Sequence, residues 1–209
     1  MTLEDALNDC GIVAILRGVS PDESIAVGQA LFEAGVRVVE VPLNSPAPFL
    51  SIAKLAKEFA GRMVVGAGTV LSVQDVNMLK SAGGEISVSP DCNEAVIARA
   101  VELGMMPLPG VFTPTEAFAA IRAGATNLKL FPAEAASPAV IKAWKAVLPK
   151  GVKIYAVGGV TPENMSEWLA AGASGFGIGS SIYKPGMSVD AVREAAEKLV
   201  SAWNVAKGK

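Results

Sequence analysis

Three apolar runs in this chain each carry a charged residue. They are Ile12-Val13-Ala14-Ile15-Leu16-Arg17, Val38-Val39-Glu40-Val41 and Leu128-Lys129-Leu130-Phe131. Such runs read as strands buried on both faces. Ionising a group inside one costs several kcal/mol unless the group is paired or its pKa moves. An arginine, a carboxylate and a lysine in three separate strands therefore point to chemistry. The lysine carries most of the argument. An amine held among apolar neighbours and near a second cation gives up its proton more easily, and the neutral amine attacks ketones and aldehydes. The competing reading is a structural Glu–Lys ion pair with Arg17 as a spectator.

The rest of the composition narrows the chemistry. The 209 residues include no histidine. That removes Ser-His-Asp and Cys-His catalysis and every His-built metal site. Cys10 and Cys92 alone cannot make a thiolate zinc site, and no Asp/Glu cluster has ligand spacing, so no metal and no cofactor are expected. Acid–base work then falls to Glu, Asp, Lys or Tyr. A net charge of −2 gives no basic footprint for nucleic acid. The acidic start Met1-Thr2-Leu3-Glu4-Asp5 is not expected to be a signal peptide, and no apolar run is long enough for a membrane span. Two cysteines suggest no disulfide framework and a reducing cytoplasm.

The elements that must position the three charges follow a repeated grammar. A helix ends in Gly, an apolar strand follows, and the next helix often opens with Ser/Thr-Pro. The stops are Gly35, Gly83, Gly104, Gly124 and Gly172. The starts are Ser20-Pro21, Thr113-Pro114, Ser137-Pro138 and Thr161-Pro162. Ser20 with Glu23 and Thr113 with Glu116 have capping-box spacing. Strands are predicted at 12–17, 37–41, 63–67, 86–89, 105–108, 127–131, 153–157 and 174–178, after a short helix near 3–9. With no linker or low-complexity tract, 1–209 reads as one (β/α)8 TIM barrel with a short N-terminal helix. The alternative, an open doubly wound sheet, would prefer a Gly-x-Gly-x-x-Gly after its first strand. Here Gly66-Ala67-Gly68 follows the third strand and lacks the third glycine.

A barrel changes how the charges are read, because barrel active sites lie where the strands end. Arg17, Glu40 and Lys129 fall at or near strand carboxyl ends. Arg37 and Lys153 fall at amino-terminal ends and read as solvated bottom-face residues. The seventh strand ends in Val157-Gly158-Gly159 and the eighth in Gly177-Ile178-Gly179-Ser180. Small residues let backbone N–H groups approach an anion, and these two loops are the recurrent phosphate site of barrels. Thr69 offers either a hydroxyl at the same rim or a helix cap. Arg17 offers a planar fork for a carboxylate or phosphate. Pro90, Pro109-Gly110 and Phe131 follow strand ends and read as pocket wall, turn or core. Together these parts suggest a substrate with a carboxylate, an adjacent carbonyl and a distant phosphate. Lysine with glutamate between two anion sites suggests Schiff-base chemistry.

Six blocks occur in order: Ile15-Leu16-Arg17, Val39-Glu40-Val41-Pro42-Leu43, Val65-Gly66-Ala67-Gly68-Thr69-Val70-Leu71, Pro109-Gly110-Val111, Leu128-Lys129-Leu130-Phe131-Pro132 and Val157-Gly158-Gly159-Val160. Over nearly the whole chain they resemble the class I 2-keto-3-deoxy-6-phosphogluconate/phosphogalactonate aldolase family. The resemblance implies a metal-free homotrimer of small barrels acting on a phosphorylated keto-acid sugar. It implies Lys129 as the Schiff-base residue and Glu40 as proton donor and acceptor. Arg17 and Thr69 would hold the pyruvyl end, and Gly158, Gly159, Gly179 and Ser180 the phosphate. Val157 stands where phosphogluconate members typically place Thr, and Asn44 where some carry Arg, so the chain resembles the phosphogalactonate members most. Two other readings remain open: a phosphosugar epimerase or isomerase, whose common design needs His ligands, and a catalytically silent phosphosugar-binding barrel.

Overall fold

The computed structural model describes residues 3–208. Helix α1 (Leu3–Asp9) precedes strand β1 (Ile12–Ile15), and α2 (Ser24–Glu33) leads to β2 (Val38–Pro42). The alternation continues through α3 (Pro48–Glu58), β3 (Val64–Gly68), α4 (Val73–Ser81), β4 (Ile86–Val88), α5 (Glu94–Glu102), β5 (Met106–Leu108) and β6 (Gly110–Val111). It closes with α6 (Pro114–Arg122), β7 (Asn127–Leu130), α7 (Pro138–Lys145), β8 (Lys153–Val157), α8 (Met165–Ala170), β9 (Gly175–Ile178) and α9 (Val189–Lys207). All strand pairs are parallel, in the order β5-β4-β3-β2-β1-β9-β8-β7-β6. The eight predicted strands are present, but the fifth is split. Pro109 has no N–H to give to a ladder. The piece before it pairs with β4 and the piece after it with β7, so this one stave joins both ends of a nearly closed barrel.

Alternation along the strands sorts side chains into two cores. Val39, Val41, Val65, Ala67, Leu128, Leu130, Ile154 and Ala156 face outward and pack under the helices. Val13, Val38, Val64, Ile86, Val88, Leu108 and Tyr155 face inward, and Ala6 and Leu7 of α1 close the bottom of that interior. Two residues beyond Val38 stands Glu40, and two beyond Tyr155 stands Val157. Period two therefore aims both into the barrel, one layer above the apolar plug. Lys129, between the outward Leu128 and Leu130, faces inward by the same rule.

All five predicted glycine stops have positive φ. The helix starts need correction. Thr113 and Glu116 make the expected capping box. At Ser20 and Thr161 the chain instead makes a turn, and the helices begin at Ser24 and Met165. In each turn the side chain of the fourth residue accepts from the backbone N–H of the first, the half of a capping box that does not use the hydroxyl. Glu23 Oε1 accepts from the Ser20 N–H at 2.8 Å, and Asn164 Oδ1 from the Thr161 N–H at 2.9 Å. Ser137 precedes α7 without a side-chain cap bond. Among the described residues no helix is long and apolar enough to cross a membrane.

Candidate active site

Glu40 is the third residue of β2 and only 3% exposed; Lys129 is the third of β7 and 7% exposed. Both enter the barrel interior above the apolar layer. Glu40 pairs in register with Ile15 on one side and Gly66 on the other. The Gly68 Cα lies against its carboxylate, so closely that a Cβ there would stand 2.1 Å from Oε2. Gly68 thus makes room for the acid. Lys129 pairs with Gly110 and Tyr155, and its Nζ lies 4.5 Å from the centre of the Phe131 ring.

No direct ion pair joins the two groups among the described residues. Glu40 Oε2 is buried without a hydrogen-bond partner. Burial dominates both titrations. It pushes the Glu40 carboxyl up to about 7, against the pull of Lys129 and Arg17. It pushes the Lys129 amine down to about 8, opposed by Glu40 and helped by Arg17. A substantial neutral fraction of a lysine beside a half-protonated carboxyl suits amine attack and proton shuttling near neutral pH.

A cavity of about 590 Å³ opens at the carboxyl ends of the strands; neither Glu40 nor Lys129 lines it. Arg17, Phe131, Val157, Gly158, Gly159, Gly179 and Ser180, all predicted, line it. Phe131 links the cavity to Lys129. Val157 pairs with Gly177, and its side chain occupies the space that a Cβ on Gly177 would need. Gly158 and Gly159 have φ of 106° and 69°, the left-handed backbone that favours glycine.

Thr69 and Pro90 do not line this cavity. Thr69 follows Gly68, which touches Glu40, and has φ of 58°. It does not cap a helix: Ser72 caps α4 in a box with Asp75. The Pro90 carbonyl packs on Gly110, the register partner of Lys129. Arg17 needs the clearest correction. It is exposed and lies in the turn after β1, not within the strand. Pairing with β2 ends at Ile15 opposite Glu40, and Gly18, at φ of 84°, turns the chain away. Asn44 Oδ1 accepts from Arg17 at 2.7 Å and fixes the guanidinium at the rim.

Sequence reasoning missed Glu134, Tyr183 and Lys184, which also line the cavity. Glu134 lies in a 3-10 turn after Phe131-Pro132, with its carboxylate against Gly158. Lys184 follows Ser180 in the loop after β9.

The family described as KDPG and KHG aldolase matches residues 3–196. A probable 2-dehydro-3-deoxy-6-phosphogalactonate aldolase of Rhizobium meliloti (strain 1021) is 47% identical over 94% of this chain and 93% of its own. The 2-dehydro-3-deoxy-6-phosphogalactonate aldolase of Escherichia coli (strain K12) is 45% identical, covering 93% and 95%. The KHG/KDPG aldolase of the same organism is 32% identical, over 90% and 87%. A solved structure described as native KDPGal superimposes with a TM-score of 0.93 at 44% identity, covering 95% of this chain and 96% of that one.

Proposed function

This chain belongs to the KDPG and KHG aldolase family, whose members are carbon–carbon lyases, and we propose that Lys129 is its Schiff-base nucleophile and Glu40 its proton carrier. The substrate is 2-dehydro-3-deoxy-6-phosphogalactonate, and the products are pyruvate and D-glyceraldehyde 3-phosphate. The observation that carries this reading is the buried Glu40–Lys129 pair, joined through the Phe131 ring on Lys129 to a glycine-lined cavity. The 45–47% identity to phosphogalactonate aldolases supports the substrate over its C4 epimer.

Neutral Lys129 attacks the C2 ketone, and protonated Glu40 gives its proton to the oxygen, which leaves as water, giving an iminium and a Glu40 carboxylate. Glu40 takes the C4 hydroxyl proton. The C3–C4 bond breaks, its electron pair enters the iminium, and glyceraldehyde 3-phosphate departs. Glu40 returns its proton to C3 of the pyruvate enamine. Water hydrolyses the resulting iminium, releasing pyruvate and the amine. Arg17, held by Asn44, faces the substrate carboxylate, with Thr69 at the same end. Gly158, Gly159, Gly179 and Ser180 receive the phosphate, while Pro90, Phe131 and Val157 wall the reacting carbons.

The residues 1–209 act as one catalytic domain within a homotrimer. Exposed Leu50, Leu71, Val73 and Phe112 offer apolar area for subunit contact, and a similar solved chain at 45% identity belongs to a cage designed by fusing symmetric oligomeric domains. A chain with two cysteines, Cys10 and Cys92, and no disulfide framework fits a cytoplasmic setting.

Incubation with pyruvate and borohydride tests the reading. One reduced pyruvyl group is expected at Lys129 by peptide mass spectrometry. Label at Lys153, or none, would sink it. Pyruvate release from both C4 epimers then decides the substrate.

A further inference from the structure

Two cations, Arg17 and Lys184, line the cavity among the described residues. Arg17 is engaged by Asn44 at the turn after β1. Lys184 has no assigned partner in the proposed reaction. Its loop is nonetheless built with care. The N–H groups of Ile182 and Tyr183 both bond to the Gly179 carbonyl, at 2.9 and 3.1 Å. Both side chains are buried, at 0% and 2% exposure, which anchors the turn from beneath. Lys184 is the first exposed residue beyond that anchor, and its N–H donates to Met187 Sδ at 3.2 Å. The Pro185 ring packs on Gly18, so closely that a Cβ there would stand 2.7 Å from Cγ. Lys184 is therefore fixed between the Gly179-Ser180 loop and the turn that carries Arg17.

The charge balance of the cavity gives this placement a purpose. A phosphate on Gly158, Gly159, Gly179 and Ser180 is met by neutral donors. The Glu134 carboxylate lies against Gly158 in the same cavity and opposes a second anion. A cation in the same cavity would offset that repulsion, and Lys184 is the one that Asn44 does not engage. We propose that Lys184 is the counter-ion of the substrate's phosphate and so selects phosphorylated over unphosphorylated keto acids. This rests on the aldolase reading for its substrate, but not for its phosphate.

The test compares Lys184→Ala, Lys184→Glu and Lys184→Arg with wild type. KM for the phosphorylated keto acid should rise about tenfold in Lys184→Ala, the lower range for a partly exposed charged hydrogen bond. It should rise further in Lys184→Glu and return to within about threefold of wild type in Lys184→Arg. Borohydride trapping of pyruvate, which carries no phosphate, should change less than twofold in all three variants. Calorimetric titration with inorganic phosphate should show the same order of weakening. A KM and a phosphate affinity within twofold of wild type in both Lys184→Ala and Lys184→Glu would overturn the proposal. A wild type that releases no pyruvate would defeat the aldolase reading instead, and the phosphate titration would still decide Lys184.

Discussion

Lys129 and Lys153 stand on neighbouring strands, each with a glutamate, at opposite ends of one barrel. At the bottom, Lys153 of β8 meets Glu4 of α1 at 3.1 Å, with side chains 33% and 73% exposed. At the top, Lys129 of β7 shares a buried interior with Glu40 and makes no direct ion pair with it. The bottom pair has the closer contact, and the top pair is the one cut off from water. Burial, more than proximity of opposite charge, makes a reactive amine. A lysine deprived of water and only partly compensated gives its proton up.

The largest test of this contrast exchanges the roles of the two lysines. Lys129→Met should lower pyruvate release by more than about 10⁴-fold, because the buried amine that forms the iminium is gone. Lys153→Met should stay within about twofold, as expected of a surface substitution. Equal losses would show that position along the strand, top or bottom, carries no chemical meaning here. Glu40→Gln should follow, with a loss of about 10²–10⁴-fold typical of general acid–base groups. Pyruvate trapping should survive in part, since the amine remains. Near-normal turnover in Glu40→Gln would make Glu40 structural and require another proton carrier.

Stability should run the opposite way at the two ends. Glu40 keeps a proton in the folded state up to about pH 7, whereas an ordinary carboxyl releases it near 4.5. Its contribution to stability is full below 4.5 and is lost as pH rises through 7. Lys129 is neutral above about 8 when folded but titrates at 10.5 when free. Its contribution is full above 10.5 and is lost as pH falls through 8. The site therefore costs most stability between pH 7 and 8, where both groups carry charge. The Glu40→Gln/Lys129→Met double variant should be more stable there by roughly 1–4 kcal/mol. That is about 2–4 °C of Tm per kcal/mol for a chain of this size. The gain should shrink at pH 5. Lys153→Met should instead lose no more than about 1 kcal/mol. Thermal melts across this pH range check both signs, and a destabilised double variant at pH 7.5 would contradict the burial account.

Much of the top face was legible because charge inside an apolar run is costly and therefore informative. Glu40 and Lys129 stood out on that ground alone, and Val157 through the glycines beside it. Arg17 was misread as a strand residue because apolar character continues to Leu16, one residue beyond the last β2 pairing at Ile15. The strand that resumes at Gly110-Val111 was invisible, since two residues beyond Pro109 carry no pattern and only the register assigns them to β7. Glu134 and Lys184 went unnoticed for the reverse reason. Both are exposed, and a charge in a polar loop has no local conflict to reveal it. Thr69 resembled a cap, but its backbone turns left-handed and leaves the capping to Ser72.

The smallest predicted effect divides the top face itself, between its buried charged pair and its apolar wall. In the proposed reaction Glu40 and Lys129 serve both C4 epimers alike, since the ketone and the bond that breaks are the same. Discrimination must come from a group near the C4 hydroxyl. Val157 faces the interior of β8, lines the cavity and is braced over Gly177. A valine wall offers that hydroxyl no hydrogen bond, and apolar walls discriminate weakly, whereas a well-formed bond to a substrate hydroxyl discriminates strongly. Threonine is nearly isosteric, so Val157→Thr adds a donor and acceptor while leaving the packing against Gly177 almost unchanged. The wild type should prefer the phosphogalactonate epimer and cleave the phosphogluconate epimer less efficiently. The variant should shift the ratio of kcat/KM values toward the gluconate epimer by about tenfold, if one bond worth roughly 1–1.5 kcal/mol is gained. Both epimers assayed on both proteins supply the ratio. A wild type that prefers the gluconate epimer, or a ratio unmoved by the substitution, would remove Val157 from substrate choice. The buried lysine and glutamate would keep their roles, because neither depends on the configuration at C4.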